Sequence, residues 1–294
     1  MDITASMVKE LRDKTGAGMM DAKKALVEAN GNMEQAIEHL RQKGIASADK
    51  KMNRIAAEGL VDVVIEDKIG AIVEVNCETD FVAKNDDFKA LVKDVAKVVI
   101  KENPADVDAL LKADINGQTV EEYVKSKIAT IGEKITIRRF VRYEVPCCVN
   151  SYVHNGKIAV MLETKCKEGS SKEENTAIAR DICLHITSCS PEFISRAEIP
   201  ASVIEEETRI EMGKEDLANK PENIRAKIVE GRVNKLMAQR CLLEQPFVKS
   251  PDMTIEKLIE GKLDIVRYER FVLGEGLEKR EENFADEVMK QIAG

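Results

Sequence analysis

Apolar positions in the first 45 residues recur at helical spacing, in three short runs. The clearest run consists of Ala22, Ala25, Leu26 and Ala29, at positions i, i+3, i+4 and i+7. Glycine-containing turns at 16–18 and 30–32 separate the runs, because glycine favours turns over helix. Residues 1–45 are therefore predicted to form a compact three-helix domain that ends in a helix cap at Gly44.

The apolar period changes to two after a polar connector at residues 46–58. Segments 60–65 and 69–76 are strand-like and flank a short polar turn, which predicts a strand, a turn and a second strand. Residues 88–102 then return to helical spacing. We assign residues 59–145 to a first core subdomain, in which a sheet carries a helix.

The same order of segments recurs later in the chain. Residues 68–77 match residues 157–166, with Lys, Ile, Glu and Cys at equivalent positions. The helical segments that follow also align, with Pro104 opposite Pro191. Two aligned blocks in the same order indicate two related subdomains, each an antiparallel sheet with helices on one face. The second subdomain begins with residues 146–201.

Residues 202–240 are rich in charge and have two narrow apolar seams. Val203, Ile210 and Leu217 recur at every seventh position, and Pro221 suits the first turn of a second helix. These features predict an antiparallel coiled-coil hairpin inserted into the second subdomain.

The C-terminal residues 241–294 complete that subdomain. Ile265 to Leu273 has a strand pattern, and a final helix is expected from about Asn283. The chain is therefore predicted to be an α+β protein. It combines an N-terminal three-helix domain, a core of two related antiparallel sheet-plus-helix subdomains and an inserted coiled-coil hairpin.

Composition and charge narrow the function classes. Apolar residues make up 44% of the chain and charged residues 33%, as in globular proteins, whereas aromatic residues are only 4%. The formal net charge of −8 repels phosphate backbones and argues against general nucleic-acid binding. The longest stretch without a charged residue, 145–156, is too short to span a bilayer, and the charged N-terminus is unlike a signal peptide. We therefore expect a cytoplasmic protein with no membrane association.

No catalytic, cofactor or metal motif emerges from the sequence. Asp21 stands where a dinucleotide fingerprint starting at Gly16 needs its third glycine, and there is no phosphate-binding loop. The three histidines are far apart and the seven cysteines contain no C-x-x-C pair, so neither a metal cluster nor a disulfide framework is indicated. We expect most cysteines to be buried small hydrophobes. Cys183 and Cys189 flank His185, which permits thiol chemistry, but burial on the inner face of a helix is the favoured interpretation.

The segment 76–85, between a strand end and a helix start, has two interpretations. It places the apolar pair Phe81-Val82 directly after an acid, Asp80. In one interpretation Thr79 or Asp80 caps the following helix and Phe81 packs inward. In the other, the segment is an exposed binding tip. The residue pattern leaves both open.

Four segments resemble signatures of the bacterial elongation factor Ts family. They are residues 11–26, residues 74–82, Gln245-Pro246-Phe247-Val248 and Gly274-Glu275-Gly276. The resemblance implies that the chain is a guanine-nucleotide exchange factor for the GTPase elongation factor Tu. It also implies that the exchange factor itself makes and breaks no covalent bond and uses no cofactor. It also implies a ubiquitin-associated-like fold for the N-terminal helices and a protruding coiled coil.

The resemblance also implies which residues bind the partner. Thr79, Asp80, Phe81 and Val82 correspond to the tip that enters the GTPase domain of elongation factor Tu near its magnesium ion. Docking on the partner is implied for Met19, Met20, Lys23 and His154. The alternatives are ordinary turn packing for the two methionines and a solvated charge for Lys23. A dimer, or a 2:2 complex with the GTPase, is one arrangement compatible with the resemblance.

Two other function classes make different demands on the chain. A nucleic-acid-binding adaptor needs a basic face, whereas basic and acidic residues are nearly balanced in residues 1–56. A ubiquitin-like adaptor or scaffold would use the N-terminal helices alone and gives no reason for the Asp80-Phe81 pair. The exchange-factor hypothesis accounts for both the helical domain and the pair.

Overall fold

The computed structural model describes residues 3–278. The helices are α1 Ala5–Thr15, α2 Met19–Glu28, α3 Met33–Asp49, α4 Asp80–Lys84, α5 Asp86–Glu102, α6 Val107–Lys112, α7 Val120–Ile131, α8 Lys172–Cys189, α9 Ala201–Met212, α10 Glu222–Arg240 and α11 Ile255–Ile259. The strands are β1 Glu58–Glu66, β2 Ile69–Cys77, β3 Asp114–Ile115, β4 Gln118–Thr119, β5 Ile135–Glu144, β6 Cys148–His154, β7 Ile158–Cys166, β8 Pro246–Phe247, β9 Ser250–Thr254 and β10 Leu263–Val272. An α+β fold with an N-terminal helical region and antiparallel sheets is thereby confirmed. The final helix predicted from Asn283 lies outside the described residues.

The first three helices form a bundle around a small apolar core. Its buried residues are Val8, Leu11, Ala22, Ala25, Leu26, Ala29 and Ala36. The side chains of Thr4 and Asn32 cap α1 and α3 by accepting hydrogen bonds from the backbone N–H groups of Met7 and Gln35. Gly16 ends α1 in the left-handed conformation (φ 68°), which glycine adopts without a steric penalty. The three helices that the apolar spacing predicted are therefore present.

Helix α3 is longer than the sequence pattern predicted. It continues through Gly44, so the expected cap at this residue is wrong, and the connector predicted at 46–58 is partly helical. Gly44 faces α7, where an added Cβ would lie 3.1 Å from the Cβ of Ala129. The missing side chain lets the two helices approach closely, and Arg41 of α3 pairs with Glu122 of α7. The N-terminal bundle is therefore docked on the core through α3.

Two three-stranded antiparallel sheets form the core. Sheet one has the order β1-β2-β5 and sheet two the order β10-β7-β6. The repeated segments 68–77 and 157–166 supply the central strands, β2 and β7. The sheets also share an irregularity at equivalent positions, because β5 bulges at Arg138 and β10 bulges at Val266. The matched strands and bulges agree with an internal repeat. Strand β5 and helix α7 were not predicted from the sequence.

The two sheets face each other, and each has a helix on its outer surface. Residues of β2 alternate, so that Val73 packs toward α5 whereas Ile72 packs toward sheet two. In β7, Leu162 packs toward α8 and Met161 toward sheet one. The apolar contact between the sheets consists of Val61, Ile72, Tyr143, Val145, Ala159, Met161 and Phe271. The layers of the core are therefore helix, sheet, sheet and helix.

A buried carboxylate lies between the sheets. Glu74 of β2 is fully buried and accepts hydrogen bonds from Arg138 Nη1 at 2.9 Å, from Arg139 Nε at 2.7 Å and from the Gly274 N–H at 2.8 Å. Burial by itself raises the pKa of this carboxyl, but the hydrogen bonds from Gly274 and the two guanidinium groups outweigh burial and hold the pKa below its usual range. Glu74 is therefore ionised, and its charge is matched by two arginines.

Two arginines cross between the sheets in a symmetrical way. Arg139 of β5 stacks on Phe271 of β10, with its Cζ 4.2 Å from the ring centroid. Arg267 of β10 stacks on Tyr143 of β5 at 3.9 Å. Arg267 also donates from Nε to the carboxylate of Glu163 in β7 at 2.6 Å, as Arg139 does to the equivalent carboxylate of β2. Each sheet supplies an arginine that pairs within its own sheet and stacks on the other.

Helices α9 and α10 form an antiparallel hairpin. The ion pairs between them join Glu207 to Arg240 at 3.3 Å and Glu211 to Arg232 at 3.5 Å, and so run in opposite chain directions. The seven-residue seam predicted for the first helix is wrong, because α9 ends at Met212. Leu217 is buried in a separate short turn, and Ile210 is 50% exposed.

The cysteines are less buried than the sequence suggested. Cys77, Cys183 and Cys241 are buried, whereas the other four are half-buried or exposed, so the expectation of mostly buried cysteines is wrong. Cys183 lies inside as expected, and burial raises the pKa of its thiol. Cys189 is exposed, which corrects its predicted place on an inner helix face.

His185 is a neutral, fully buried residue of the second subdomain. The Val248 N–H donates to its Nδ1 at 3.2 Å, so Nε2 carries the proton and donates to Gln245 Oε1 at 2.8 Å. Burial lowers the pKa of the imidazole, and the hydrogen bond with Gln245 opposes this effect only in part. His185 therefore ties α8 to the segment around β8, which is a structural role.

We expect the free energy of unfolding to fall as the pH drops below about 6.5, the usual pKa of histidine. Below this pH, His185 binds a proton in the unfolded chain but stays neutral in the folded chain. The free energy of unfolding then changes with a limiting slope of about 1.4 kcal/mol per pH unit. A His185→Gln variant is expected to be less stable at pH 7 but to have a flatter profile between pH 7 and 5. His154→Gln, at an exposed histidine, is the control. Denaturant unfolding at each pH measures both, and an unchanged slope in His185→Gln would contradict this account.

Candidate interaction surface

The segment Thr79-Asp80-Phe81-Val82, which we call the tip, lies between β2 and α5 and begins the five-residue helix α4. Thr79 caps α4, since its Oγ1 accepts a hydrogen bond from the Val82 N–H at 3.3 Å. Val82 is half-buried against the core of sheet one. Phe81 points outward and is 80% exposed. The capping interpretation is thus correct for Thr79, but inward packing of Phe81 is wrong.

One carboxylate anchors the base of the tip. Glu133, just after α7, accepts hydrogen bonds from the N–H groups of Glu78 and Thr79 at 3.1 and 3.0 Å, and from the Thr79 hydroxyl at 2.6 Å. The Lys134 N–H in turn donates to Glu78 Oε1 at 2.6 Å. These bonds involve a charged acceptor and hold the backbone that precedes Phe81.

The charged side chains of the tip are paired with each other. Lys84 Nζ lies 2.6 Å from Asp80 Oδ2 and 5.7 Å from the centroid of the Phe81 ring. The hydrogen bond from Lys84 holds the pKa of Asp80 below its usual range, so this carboxylate is ionised at neutral pH. The tip therefore presents a negative charge and an apolar ring side by side.

Met19, Met20 and Lys23 occupy the start of α2, next to the turn after α1. Met19 is 55% and Met20 76% exposed, so neither is packed in the turn, and Lys23 is exposed as well. An added Cβ on Gly16 in this turn would lie 3.5 Å from Thr130 Cγ2, near the C-terminal end of α7. The end of α7 therefore lies beside this turn and leads directly to the residue that anchors the tip.

His154 ends β6 at an exposed two-residue turn, in which Asn155 and Gly156 have φ angles of 52° and 68°. Its Nδ1 lies 3.2 Å from the Tyr152 hydroxyl. Lys157, which follows this turn, forms an ion pair with Glu58 at 2.6 Å. Because Glu58 is opposite Cys77 in sheet one, this turn and the tip lie at the same end of the core.

Three residues that support the tip were missed from the sequence. Glu133 and Lys134 lie in a turn between α7 and β5, far along the chain from the tip. Arg54 Nη1 donates to Glu78 at 3.2 Å, and its carbonyl accepts from Lys134 Nζ at 2.9 Å. Charged residues in polar segments carry no local signal of such distant pairing.

The segments around these residues match a known family. The family model described as Elongation factor TS matches residues 78–275, which include the tip, strand β5 of sheet one and all of sheet two. The chain belongs to the elongation factor Ts family. Three relatives are each named elongation factor Ts. The protein of Nostoc punctiforme is 44% identical, over 100% of this chain and 99% of its own; that of Alkalilimnicola ehrlichii is 45% identical, over 100% of both. The protein of Syntrophotalea carbinolica is 48% identical, over 98% of both chains.

Two segments that resemble elongation factor Ts signatures, 74–82 and 274–276, meet in the interior, and a third, 245–248, contacts His185 in the second subdomain. The segment 74–82 starts with the buried Glu74 and ends in the tip. Gly274 donates its N–H to Glu74, and Gln245 accepts from His185. Membership of the elongation factor Ts family makes the chain a translation elongation factor. Between residues 3 and 278, no helix combines the length and the apolar character that crossing a membrane requires.

Replacing Glu133 with Ala is expected to loosen the tip. The backbone N–H groups of Glu78 and Thr79 lose a charged acceptor, and a hydrogen bond to a charged group contributes about 1.5–3 kcal/mol. Hydrogen exchange of these two amides is expected to accelerate by about tenfold or more. Glu121→Ala, which removes an exposed carboxylate from α7, is the control. Equal protection of the two amides in both variants would contradict the anchoring role.

Proposed function

We propose that this chain is the guanine-nucleotide exchange factor of its cognate elongation factor Tu. It binds the GDP form of the GTPase, disturbs the magnesium and phosphate site, and promotes GDP release so that GTP can enter. It acts by binding alone and is not an enzyme in the bond-making sense. One observation supports the proposal above all. The chain belongs to the elongation factor Ts family, and its anchored tip exposes Phe81 beside an ionised Asp80.

Phe81 suits the role of a wedge. Its ring is the most exposed of the tip's side chains, while hydrogen bonds to Glu133 hold the backbone just before it. A side chain on an anchored backbone loses little conformational freedom when it binds, so more of its burial energy remains for distorting the partner. Burial of a Phe side chain is favourable by about 1.5–3 kcal/mol.

Asp80 suits the disturbance of a magnesium site. Mg²⁺ binds oxygen ligands and demands near-ideal octahedral geometry, so a carboxylate brought close to it competes with the groups that order its waters. Asp80 is ionised, and its present partner is Lys84, an exposed flexible side chain that can release it. The exposed ion pair holds Asp80 only weakly, since such pairs contribute about 0–1 kcal/mol.

Exchange then follows from reciprocity between two ligands of the same GTPase. If the exchange factor binds best to a form of the GTPase with a distorted nucleotide site, it lowers the affinity for GDP. GDP then lowers the affinity for the exchange factor by the same ratio. The chain therefore accelerates release and uptake alike. It sets no preference between GDP and GTP.

Docking surfaces away from the tip supply most of the affinity in this proposal. Met19, Met20 and Lys23 at the start of α2 form one, on an N-terminal bundle that we interpret as a ubiquitin-associated-like domain. His154 forms another at the end of sheet two. We interpret the hairpin of α9 and α10 as the family's coiled coil, and place the action of the protein in the cytoplasm.

Phe81→Ala is expected to slow GDP release from elongation factor Tu by about ten- to a hundredfold, in line with about 1.5–3 kcal/mol of lost burial. Its melting temperature is expected to stay unchanged, because the ring is exposed. Asp80→Ala is also expected to slow release, but its defect shrinks when Mg²⁺ is chelated, whereas the Phe81→Ala defect persists. Stopped-flow release of labelled GDP at two Mg²⁺ concentrations, beside a thermal melt, measures these effects.

The control for this experiment is Val266→Ala, which removes an exposed apolar side chain from β10. It is expected to keep the wild-type rate. The proposal fails if both tip variants lower the melting temperature and retain full exchange activity per folded molecule.

Met19→Ala combined with Met20→Ala is expected to weaken binding to elongation factor Tu by about tenfold or more, since two exposed side chains lose buried contact area. The rate of GDP release at saturating factor is expected to remain that of the wild type, because the tip is intact. Val27→Ala, on the same helix and also exposed, is the control. A lower saturating rate with unchanged affinity would assign the methionines to the exchange step instead.

A further inference from the structure

Three cysteines converge at the end of the core that lies away from the tip. Cys147 Sγ is 3.4 Å from Cys148 Sγ, and Cys148 Sγ is 4.0 Å from Cys166 Sγ. All three sulfur atoms lie within 4.8 Å of one another, and all three residues are half-buried. The absence of a C-x-x-C pair gave no sign of this convergence in the sequence.

The fold explains why adjacent cysteines meet a distant one. Side chains of consecutive strand residues point to opposite faces, but Cys147 precedes β6 in a bend after Pro146. Cys148 is the first residue of β6 and Cys166 the last of β7, and these strands are paired. The bend therefore turns Cys147 toward the same side as the other two.

The spacing fits the coordination of a soft metal ion. Zinc–sulfur bonds of about 2.3 Å in tetrahedral geometry place neighbouring sulfurs about 3.8 Å apart. The two direct separations lie on either side of this value. Thiolates select zinc and other soft cations over magnesium and calcium, which prefer oxygen.

The group is remote from the tip. Lys68, just before β2, donates from Nζ to the Pro146 carbonyl at 2.9 Å, so the cysteines lie near the start of β2. The tip follows the end of this nine-residue strand, and nine residues at about 3.3 Å each span about 30 Å.

We propose that Cys147, Cys148 and Cys166 bind one soft divalent metal ion such as Zn²⁺. Each Sγ–H bond gives its proton to solvent as the sulfur–metal bond forms, so no oxidant or reductant is required. The half-buried position leaves a fourth coordination site for water. Cys147 and Cys148 lie where the chain passes from sheet one to sheet two, and Cys166 ends β7. The ion therefore links this crossover to the central strand of sheet two.

The test uses the full chain, reduced and kept free of oxygen, with its seven thiols counted before metal is added. Cd²⁺ is the probe, because cadmium–thiolate bonds give an ultraviolet charge-transfer absorption. We expect the band to saturate at one ion per chain. Cys148→Ser and Cys166→Ser are expected to lose affinity by more than the ~10- to 100-fold that removal of an outer-shell partner causes. Cys189→Ser, at an exposed cysteine outside the group, is expected to bind as the wild type does.

A second measurement needs no variant and so does not depend on the folding of the mutants. Equimolar Zn²⁺ is expected to protect Cys147, Cys148 and Cys166 from alkylation, while Cys189 reacts as before, as read by mass mapping of peptides. The proposal is overturned if the fully reduced chain shows no cadmium–thiolate band at stoichiometric metal. It is equally overturned if the band survives in both serine variants, or if zinc leaves the three cysteines as reactive as Cys189.

Discussion

The buried carboxylate of Glu74 is the interaction on which the arrangement of the two sheets depends. A charge with no exposure to water is strongly unfavourable unless it is paired, and Arg138, Arg139 and the Gly274 N–H together satisfy it. These partners come from β5 and from the segment after β10, so the carboxylate is satisfied only when both sheets are in place. Removing one partner of such a group typically costs about 3–5 kcal/mol, because the remaining charge stays buried.

The two halves of the core use the same device with different strengths. Arg267 pairs with Glu163 in sheet two as Arg139 pairs with Glu74 in sheet one, and each arginine stacks on an aromatic ring of the opposite sheet. Within residues 3–278, Glu163 accepts from one arginine and from no group of the other sheet, whereas Glu74 has four donors: Arg138, Arg139, the Asn76 side-chain amide and the Gly274 N–H. The repeat therefore supplies a symmetrical frame, and one side of it holds the stronger junction.

The ends of the equivalent central strands differ in what they carry. In sheet one, Cys77 is buried, with the pKa of its thiol raised to about 12 mainly by that burial, and the chain continues into the tip. In sheet two, the equivalent Cys166 is half-buried and meets two other thiols. Because the sheets face each other with the His154 turn at the tip end, these two strand ends lie at opposite ends of the core. The two-sheet frame thus separates the tip, with its exposed ring and carboxylate, from a thiol-rich group.

Local pattern in the sequence determined the three N-terminal helices, the first strand pair and the internal repeat, because each depends on the spacing of residues along the chain. It offered a helix cap at Thr79 or Asp80 as one of two interpretations. The outward direction of Phe81 was decided by tertiary structure, since it depends on Glu133, which is 54 residues from Thr79. Gly44 has the local signature of a helix end, yet it serves the close approach of α7, which spacing within α3 does not encode. The cysteines converge for the same reason: a bend and a strand pairing bring together residues 18 positions apart, and only the folded chain sets that distance.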